Sequence, residues 1–303
     1  MKILATVKSN AYGHGAVPVA RALEAQGADF FGVGTIDEGI QLRAAGIRRP
    51  ILILLGLVDA HFEKLVHHRL TPVIYDLKTA SRLDRFLKTR GRQLDVHLKI
   101  DTGMTRLGIL PADAGSFFVG LGKLTSLRPV GLLSHLADAD RERWTQRQIN
   151  SFRKVARLFL KRFKTASWLH IDNSLAAIDR RNLRGGGGVV AVGPLGGDGS
   201  HSPDRTPQVS EIVRLGIALY GAYPVARQSR AIRLQPVLSW MTKIASVKTV
   251  PAGTFVSYGR RFRTRRKSRI GVLPVGYADG YFRNLSNKGE VLVRGKKVPV
   301  VGT

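Results

Sequence analysis

Short runs of apolar and β-branched residues recur along the first two-thirds of the chain. They fall at 2–8 (KILATVK), 30–35 (FFGVGT), 50–56 (PILILLG), 71–76 (TPVIYD), 94–101 (LDVHLKID), 129–136 (PVGLLSHL), 168–174 (WLHIDNS) and 212–221 (IVRLGIALYG). Each has the length and residue types of a strand. Between most of them lie stretches whose apolar positions return every three to four residues, at 16–25, 38–45, 61–67, 78–88, 112–121 and 142–164. Eight strands alternating with helices predict an α/β fold, a (β/α)8 TIM barrel of about 220 residues. An open doubly wound sheet is the rival. It requires a glycine-rich phosphate turn after the first strand, and NAYGHG at 10–15 lacks the GxGxxG spacing.

From residue 235 the helical period disappears. Short strands follow one another at 237–250, 270–275, 290–294 and 298–301, with Pro251, Gly253, Asn287 and Gly289 as turn markers. The expected organisation is a barrel over 1–230 and an incomplete C-terminal all-β domain over 231–303. One stretch breaks the alternation. Residues 184–208 (RGGGGVVAVGPLGGDGSHSPDRTPQ) stand where a helix is due, and their composition reads as a surface insertion, or as a lid.

Composition narrows the function. The chain of 303 residues has 44% hydrophobic and 23% charged residues, which excludes wholesale disorder. It has no cysteine, which excludes disulfide frameworks, Cys-ligated zinc, iron–sulfur clusters and thiol nucleophiles. No apolar run is long enough to span a bilayer, and residues 1–6 are too quickly followed by Lys8, Ser9 and Asn10 to be a signal peptide, so a cytoplasmic protein is expected. Lys+Arg 49 against Asp+Glu 21 gives +28, a charge that attracts polyanions. The cations are dispersed, and no nucleic-acid-binding motif accompanies them, so no specific nucleic-acid partner is expected.

In such a barrel, chemistry gathers at the carboxyl ends of the strands. Reading those ends gives Lys8, Asn10 and Tyr12; Lys99, Asp101 and Arg106; His135; His170, Asn173 and Ser174; and Arg214, Gly216 and Ile217. Lys8, closing an apolar run, is either a buried amine with a lowered pKa, available as a nucleophile, or a surface lysine whose stem lies on apolar neighbours. The histidines show no metal-ligand spacing, so no metal is expected, and Ser174 lacks a GxSxG elbow. A lysine, a histidine, arginines, a serine and glycines suit an anion and an imine, and suggest a phosphorylated carbonyl cofactor more than a hydrolase.

These residues carry a resemblance. KSNAYGHG at 8–15 is similar to the pyridoxal-phosphate lysine motif of bacterial alanine racemases, with Ser9 where alanine is usual. KIDTGMTRLG at 99–108, SHLADAD at 134–140, RLGIALYG at 214–221, VSYG at 256–259 and GYADGY at 276–281 resemble further segments of that family, in its order. The resemblance implies a barrel followed by a β-domain, pyridoxal 5'-phosphate as cofactor and racemisation of alanine. It assigns Lys8 to the Schiff base and to one face of the substrate. Tyr258 is assigned to the opposite face, supplied by the partner in a homodimer. Tyr12, Ser174, Gly216 and Ile217 would hold the phosphate. Arg214 would face the ring nitrogen, Arg106 the phenolic oxygen and the substrate. Lys99 stands at a position that can be carbamylated, His135 packs on the ring, and Tyr277 lines the substrate entrance. Against the family pattern the chain is expected to be short at both ends. A broader-specificity racemase, or a cofactor-binding relic without turnover, is the alternative activity.

Overall fold

The computed structural model describes residues 1–180, 209–226, 228 and 232–302; the glycine-rich stretch 184–208 lies outside the described residues. The chain divides into two compact units, Met1–Leu238 and Ser239–Thr303. In the first, eight parallel strands close into a barrel in chain order: β1 (Lys2–Thr6), β2 (Phe30–Val33), β3 (Ile51–Ile53), β4 (Thr71–Ile74), β5 (Leu94–Lys99), β6 (Leu127–Leu133), β7 (Trp168–His170) and β8 (Ser210–Leu215). β8 returns to β1, with Lys2 opposite Ile212 and Ala5 opposite Leu215, so the sheet has no open edge.

The connecting elements are α1 (Lys8–Tyr12), α2 (Ala16–Ala25), α3 (Ile36–Ala44), α4 (Phe62–His67), α5 (Leu77–Lys88), α6 (Ala114–Leu121), α7 (Glu142–Arg162) and α8 (Ser174–Arg180). Their starts follow from local chemistry. Asp76 accepts the Thr79 N–H at 2.7 Å and caps α5, and Thr35 with Glu38 forms a capping box on α3. α7 buries Ile149, Phe152, Val155, Ala156 and Phe159, one stripe at helical spacing, and Phe159 meets Phe118 of α6 at 5.9 Å between ring centres. Among the described residues no helix is long and apolar enough to cross a membrane.

The second unit contains three two-stranded antiparallel ladders: β9 (Ser246–Val250) with β12 (Ser268–Val272), β10 (Phe255–Val256) with β11 (Phe262–Arg263), and β13 (Glu290–Val293) with β14 (Lys296–Pro299).

Several boundaries differ from the sequence pattern. The first strand ends at Thr6, because residues 9–12 turn left-handed. The eighth ends at Leu215; Ile217–Tyr220, apolar enough to read as more strand, is a 3-10 turn entered through Gly216. Of 237–250 only Ser246–Val250 is strand. The helix α8 has too few turns to show a period in sequence.

Side chains two apart on a strand share a face, so each strand sends alternate residues into the barrel. Leu4, Phe30, Leu52 and Ile212 form one buried cluster, with Leu54 and Trp168 against it, and Trp168 meets Phe30 edge-on at 5.2 Å. Two residues further along β7 and β8 the interior becomes polar at His170 and Arg214, and β5 adds His97 and Lys99, all four buried. Gly131 makes room for this layer, since a Cβ there would overlap the His97 ring. Gly131→Ala is therefore expected to displace His97 and to destabilise the barrel by about 3 kcal/mol, the upper end for overpacking. Urea unfolding measures it; an unchanged midpoint would mean that the layer yields freely.

Candidate active site

Four consecutive residues after Lys8 have left-handed backbone: Ser9, Asn10, Ala11 and Tyr12, with φ from 53° to 55°. None is glycine, and each such residue is disfavoured by about 1–2 kcal/mol. Hydrogen bonds hold the turn. Ala11 N–H donates to Val7 O at 2.9 Å, Ala16 N–H to the Asn10 side chain at 2.8 Å, and Ser9 N–H to the Glu38 carboxylate at 2.7 Å. The turn leaves Lys8 half-buried and with no ion pair among the described residues. Its charge is the smallest of the influences that lower Lys99 and His135.

A cradle lies next to this turn. Gly216 N–H donates to Ser174 Oγ at 2.8 Å, and a Cβ on Gly216 would stand 3.0 Å from the Tyr12 hydroxyl and 3.9 Å from Ser174 Oγ. Two hydroxyls and a backbone amide thus converge on a space that a side chain would fill. Tyr12 packs on Tyr220 at 5.0 Å, and Tyr220 is fixed by donating to Thr6 O at 2.9 Å. Burial pushes both phenols above their ordinary range. Ile217 follows at the rim, partly exposed.

Arg214 enters the barrel from β8 and is fully enclosed. It donates to His170 O at 2.9 Å, to Ile171 O at 3.2 Å and, by a short bond, to Ser134 O. Burial lowers it to about 10, partly offset by Asp172, so it stays charged at neutral pH. The same Nη2 lies 3.3 Å from His135 Nδ1. A guanidinium only donates, so this nitrogen accepts and the His135 proton sits on Nε2. Burial first, then Arg214 and Arg106, lower His135 to about 3. His97 and His170 face each other at 2.9 Å; burial and then Arg214 lower His97 to about 3 and push His170 well below its ordinary value.

Lys99 closes β5 in the same cationic field. Burial, then Arg214 and Arg106, bring it down to about 8. Asp101 shapes the loop carrying Arg106. Its Oδ1 accepts the N–H groups of Gly103, Met104 and Thr105 at 2.9, 2.9 and 3.0 Å. Burial alone would raise Asp101, and these bonds outweigh it and hold the carboxyl below its usual range. Arg106 itself is exposed at the mouth.

The structure therefore brings Lys8, Tyr12, Lys99, Arg106, His135, Ser174, Arg214 and Gly216 to one end of the barrel. Tyr258 and Tyr277 belong to the other unit, each opening a 3-10 turn, and are 77% and 64% exposed. Sequence reading missed three residues. His97 shares the inward face with Lys99, a period-two signal in DVHLK. Gln148 is the one polar residue on the buried stripe of α7. It accepts from Ala137 N–H and donates to Thr102 Oγ1 and His135 O, at 2.9, 3.1 and 3.2 Å, tying two active-site loops together. Glu38 was visible as the fourth residue of T-x-x-E.

Comparison with known proteins agrees with this fold. The family descriptions "Alanine racemase, N-terminal domain" and "Alanine racemase, C-terminal domain" match residues 1–193 and 237–303. An alanine racemase of Halothermothrix orenii is 38% identical, over all of this chain and 74% of that protein. The chain belongs to the alanine racemase family. Another family member, from Thermodesulfovibrio yellowstonii, is 39% identical over all of this chain and 73% of its own length. Among solved structures, the alanine racemase of Clostridium difficile superposes with a TM-score of 0.80 at 33% identity, covering 100% of this chain and 73% of the other. That of Bartonella henselae, described with covalently bound pyridoxal phosphate, gives 0.74 at 26%, covering 99% and 76%.

The lowered imidazoles set an acid limit. Below pH 6.5 the unfolded chain takes up protons that His97 and His135 do not accept until about pH 3 in the folded state, so stability falls as pH falls through that window. His97→Gln is expected to flatten the dependence of Tm on pH between 6.5 and 4. A slope equal to that of the parent would mean that this ring protonates in place.

Proposed function

We propose that this alanine racemase binds pyridoxal phosphate at the barrel mouth and works with two groups, Lys8 and the Tyr258 of a second copy of the chain. The observation that carries the reading is the convergence of the Tyr12 hydroxyl, Ser174 Oγ and Gly216 N–H on one side-chain-free space beside the Lys8 turn. This donor set fits a phosphate, and the charged Arg214 and Arg106 fit the remaining polar atoms of the same molecule. When bound, pyridoxal phosphate supplies the aldehyde and the electron-withdrawing ring that acidify the α-hydrogen of an amino acid.

The rest is the work of the chain. Racemisation removes a proton from one face and returns one to the other, so two acid–base groups must stand on opposite sides. Lys8 Nζ holds the proton on one face. The Tyr258 hydroxyl holds it on the other, and its exposure within its own unit favours delivery to a second copy in a homodimer. His135, with its Nε2 proton free to point outward, links that hydroxyl to Arg214. Arg214 would face the ring nitrogen as a donor and leave it without a proton of its own, since an arginine keeps its hydrogens. Arg106 would meet the phenolic oxygen and the substrate carboxylate. Lys99, with a free-amine fraction near neutral pH, is suited to carbamylation, and the negative charge so formed would hold Arg106. Ile217 would contribute its N–H to the phosphate, and Tyr277 would line the entrance.

Lys8→Ala and Tyr258→Phe are each expected to reduce L- and D-alanine interconversion by about a thousandfold or more. Only Lys8→Ala should also lose covalent retention of pyridoxal phosphate after borohydride treatment. Mixing the two inactive chains under exchange conditions should restore about a quarter of parental activity, because one site in each mixed dimer is intact. No recovery in a sample shown to contain mixed dimers would place the tyrosine in the same chain as its lysine.

A further inference from the structure

We infer that Glu38 is a positioning residue for Lys8, one that aims the amine through the backbone of the left-handed turn. The inference rests on the reading of Lys8 as the cofactor-bearing lysine. Each carboxylate oxygen of Glu38 has its own task. Oε2 accepts the Gly34 N–H at 2.7 Å and the Thr35 N–H at 3.4 Å, closing the capping box of α3. Oε1 reaches across to the preceding loop and accepts the Ser9 N–H at 2.7 Å.

Helix capping does not call for that second contact. It joins residues 29 apart in sequence and belongs to the turn, not to the helix. Its place is telling, because Lys8 is bracketed. On one side Val7 N–H donates to Gly32 O at 2.9 Å; on the other Ser9 N–H donates to Glu38. Both anchors lie on β2 and the helix that follows it, so the residue between them is held against a rigid part of the barrel. Ser9 is also the first of four residues in a disfavoured conformation, and a turn of this kind relaxes when a restraint is removed. The bond is charge-assisted, of the stronger class. Room for the carboxylate is built in: Gly34 is buried, and a Cβ there would press to 3.3 Å of Oε2 and 3.1 Å of a Leu55 methyl.

Glutamine cannot replace this group. One of its two terminal atoms is a donor, which would face either the Ser9 N–H or the Gly34 N–H. The α3 side offers two N–H groups and the turn one, so the amide oxygen stays on Gly34 and Thr35 and the NH2 faces Ser9: Glu38→Gln loses the Ser9 anchor, whereas Thr35→Ala weakens the cap of α3 and leaves Ser9 held. Three measurements on both variants separate aiming from capping. The first is the rate at which acetylation labels Lys8 in the cofactor-free chain, read by peptide mass. The second is affinity for 4'-deoxypyridoxine 5'-phosphate, which has the phosphate but no aldehyde. The third is the split between kcat and KM for alanine in the loaded enzyme.

For Glu38→Gln the expected result is a severalfold change in Lys8 labelling and a kcat lowered by about tenfold, the rate effect of one lost hydrogen bond. Analogue affinity and alanine KM should stay within about twofold, because the phosphate cradle is untouched. Thr35→Ala should lower Tm comparably and change neither labelling nor kcat. Equal effects in the two variants, or parental Lys8 labelling in Glu38→Gln, would overturn the inference. Should Glu38→Gln not fold, Glu38→Asp, one methylene too short to serve both amides, takes its place in the same comparison. Failure of the cofactor reading shows itself separately, as a parental chain that retains no pyridoxal phosphate on Lys8; the labelling rates still decide the role of Glu38.

Discussion

A guanidinium inside a barrel is the constraint around which the site is arranged. Arg214 occupies an interior position where a barrel of this class ordinarily carries a branched apolar side chain. Its charge is tolerated because three carbonyl oxygens, of Ser134, His170 and Ile171, turn toward it. Those carbonyls lie at the ends of β6 and β7, so the arginine also fixes where these strands stop and where the segments leading to His135, Asn173 and the start of α8 at Ser174 begin.

The same charge orders the chemistry around it. His97, His135 and His170 are neutral because a dry interior first, and the nearby cation second, leave no place for another proton. Lys99 is drawn toward its free amine by the same neighbours. The polar layer is thus centred on a guanidinium held by carbonyl acceptors, beyond the apolar cluster that contains Ile212 of the same strand. Gly131 belongs to this arrangement as much as the histidines do, since its missing side chain is the space His97 occupies.

What the sequence disclosed, and what it hid, follows from the range of each interaction. Strands such as ILI at 51–53 are apolar because both faces are covered, and a long amphipathic helix such as α7 announces itself by period. The polar strand-end residues could be collected from their places in the pattern alone. Handedness could not: of Ser9, Asn10, Ala11 and Tyr12 only the asparagine favours left-handed backbone, and the conformation is imposed by contacts with Glu38 and Val7. Gln148 and His97 act across β-strands and loops far apart in the chain, so their partners are visible only once the barrel is closed. Ile217–Tyr220 misled for a local reason. It is apolar like a strand, and its path is set by Gly216, whose backbone turns the chain over the cradle.

If Arg214, held by those carbonyls, faces the ring nitrogen as proposed, it imposes the protonation state of that nitrogen. The most direct test is the nitrogen-15 chemical shift of ring-labelled pyridoxal phosphate bound to the chain, followed through the neutral pH range. The account predicts the shift of an unprotonated pyridine nitrogen accepting a hydrogen bond, unchanged with pH. A pyridinium shift, with a proton resident on that nitrogen, would contradict it.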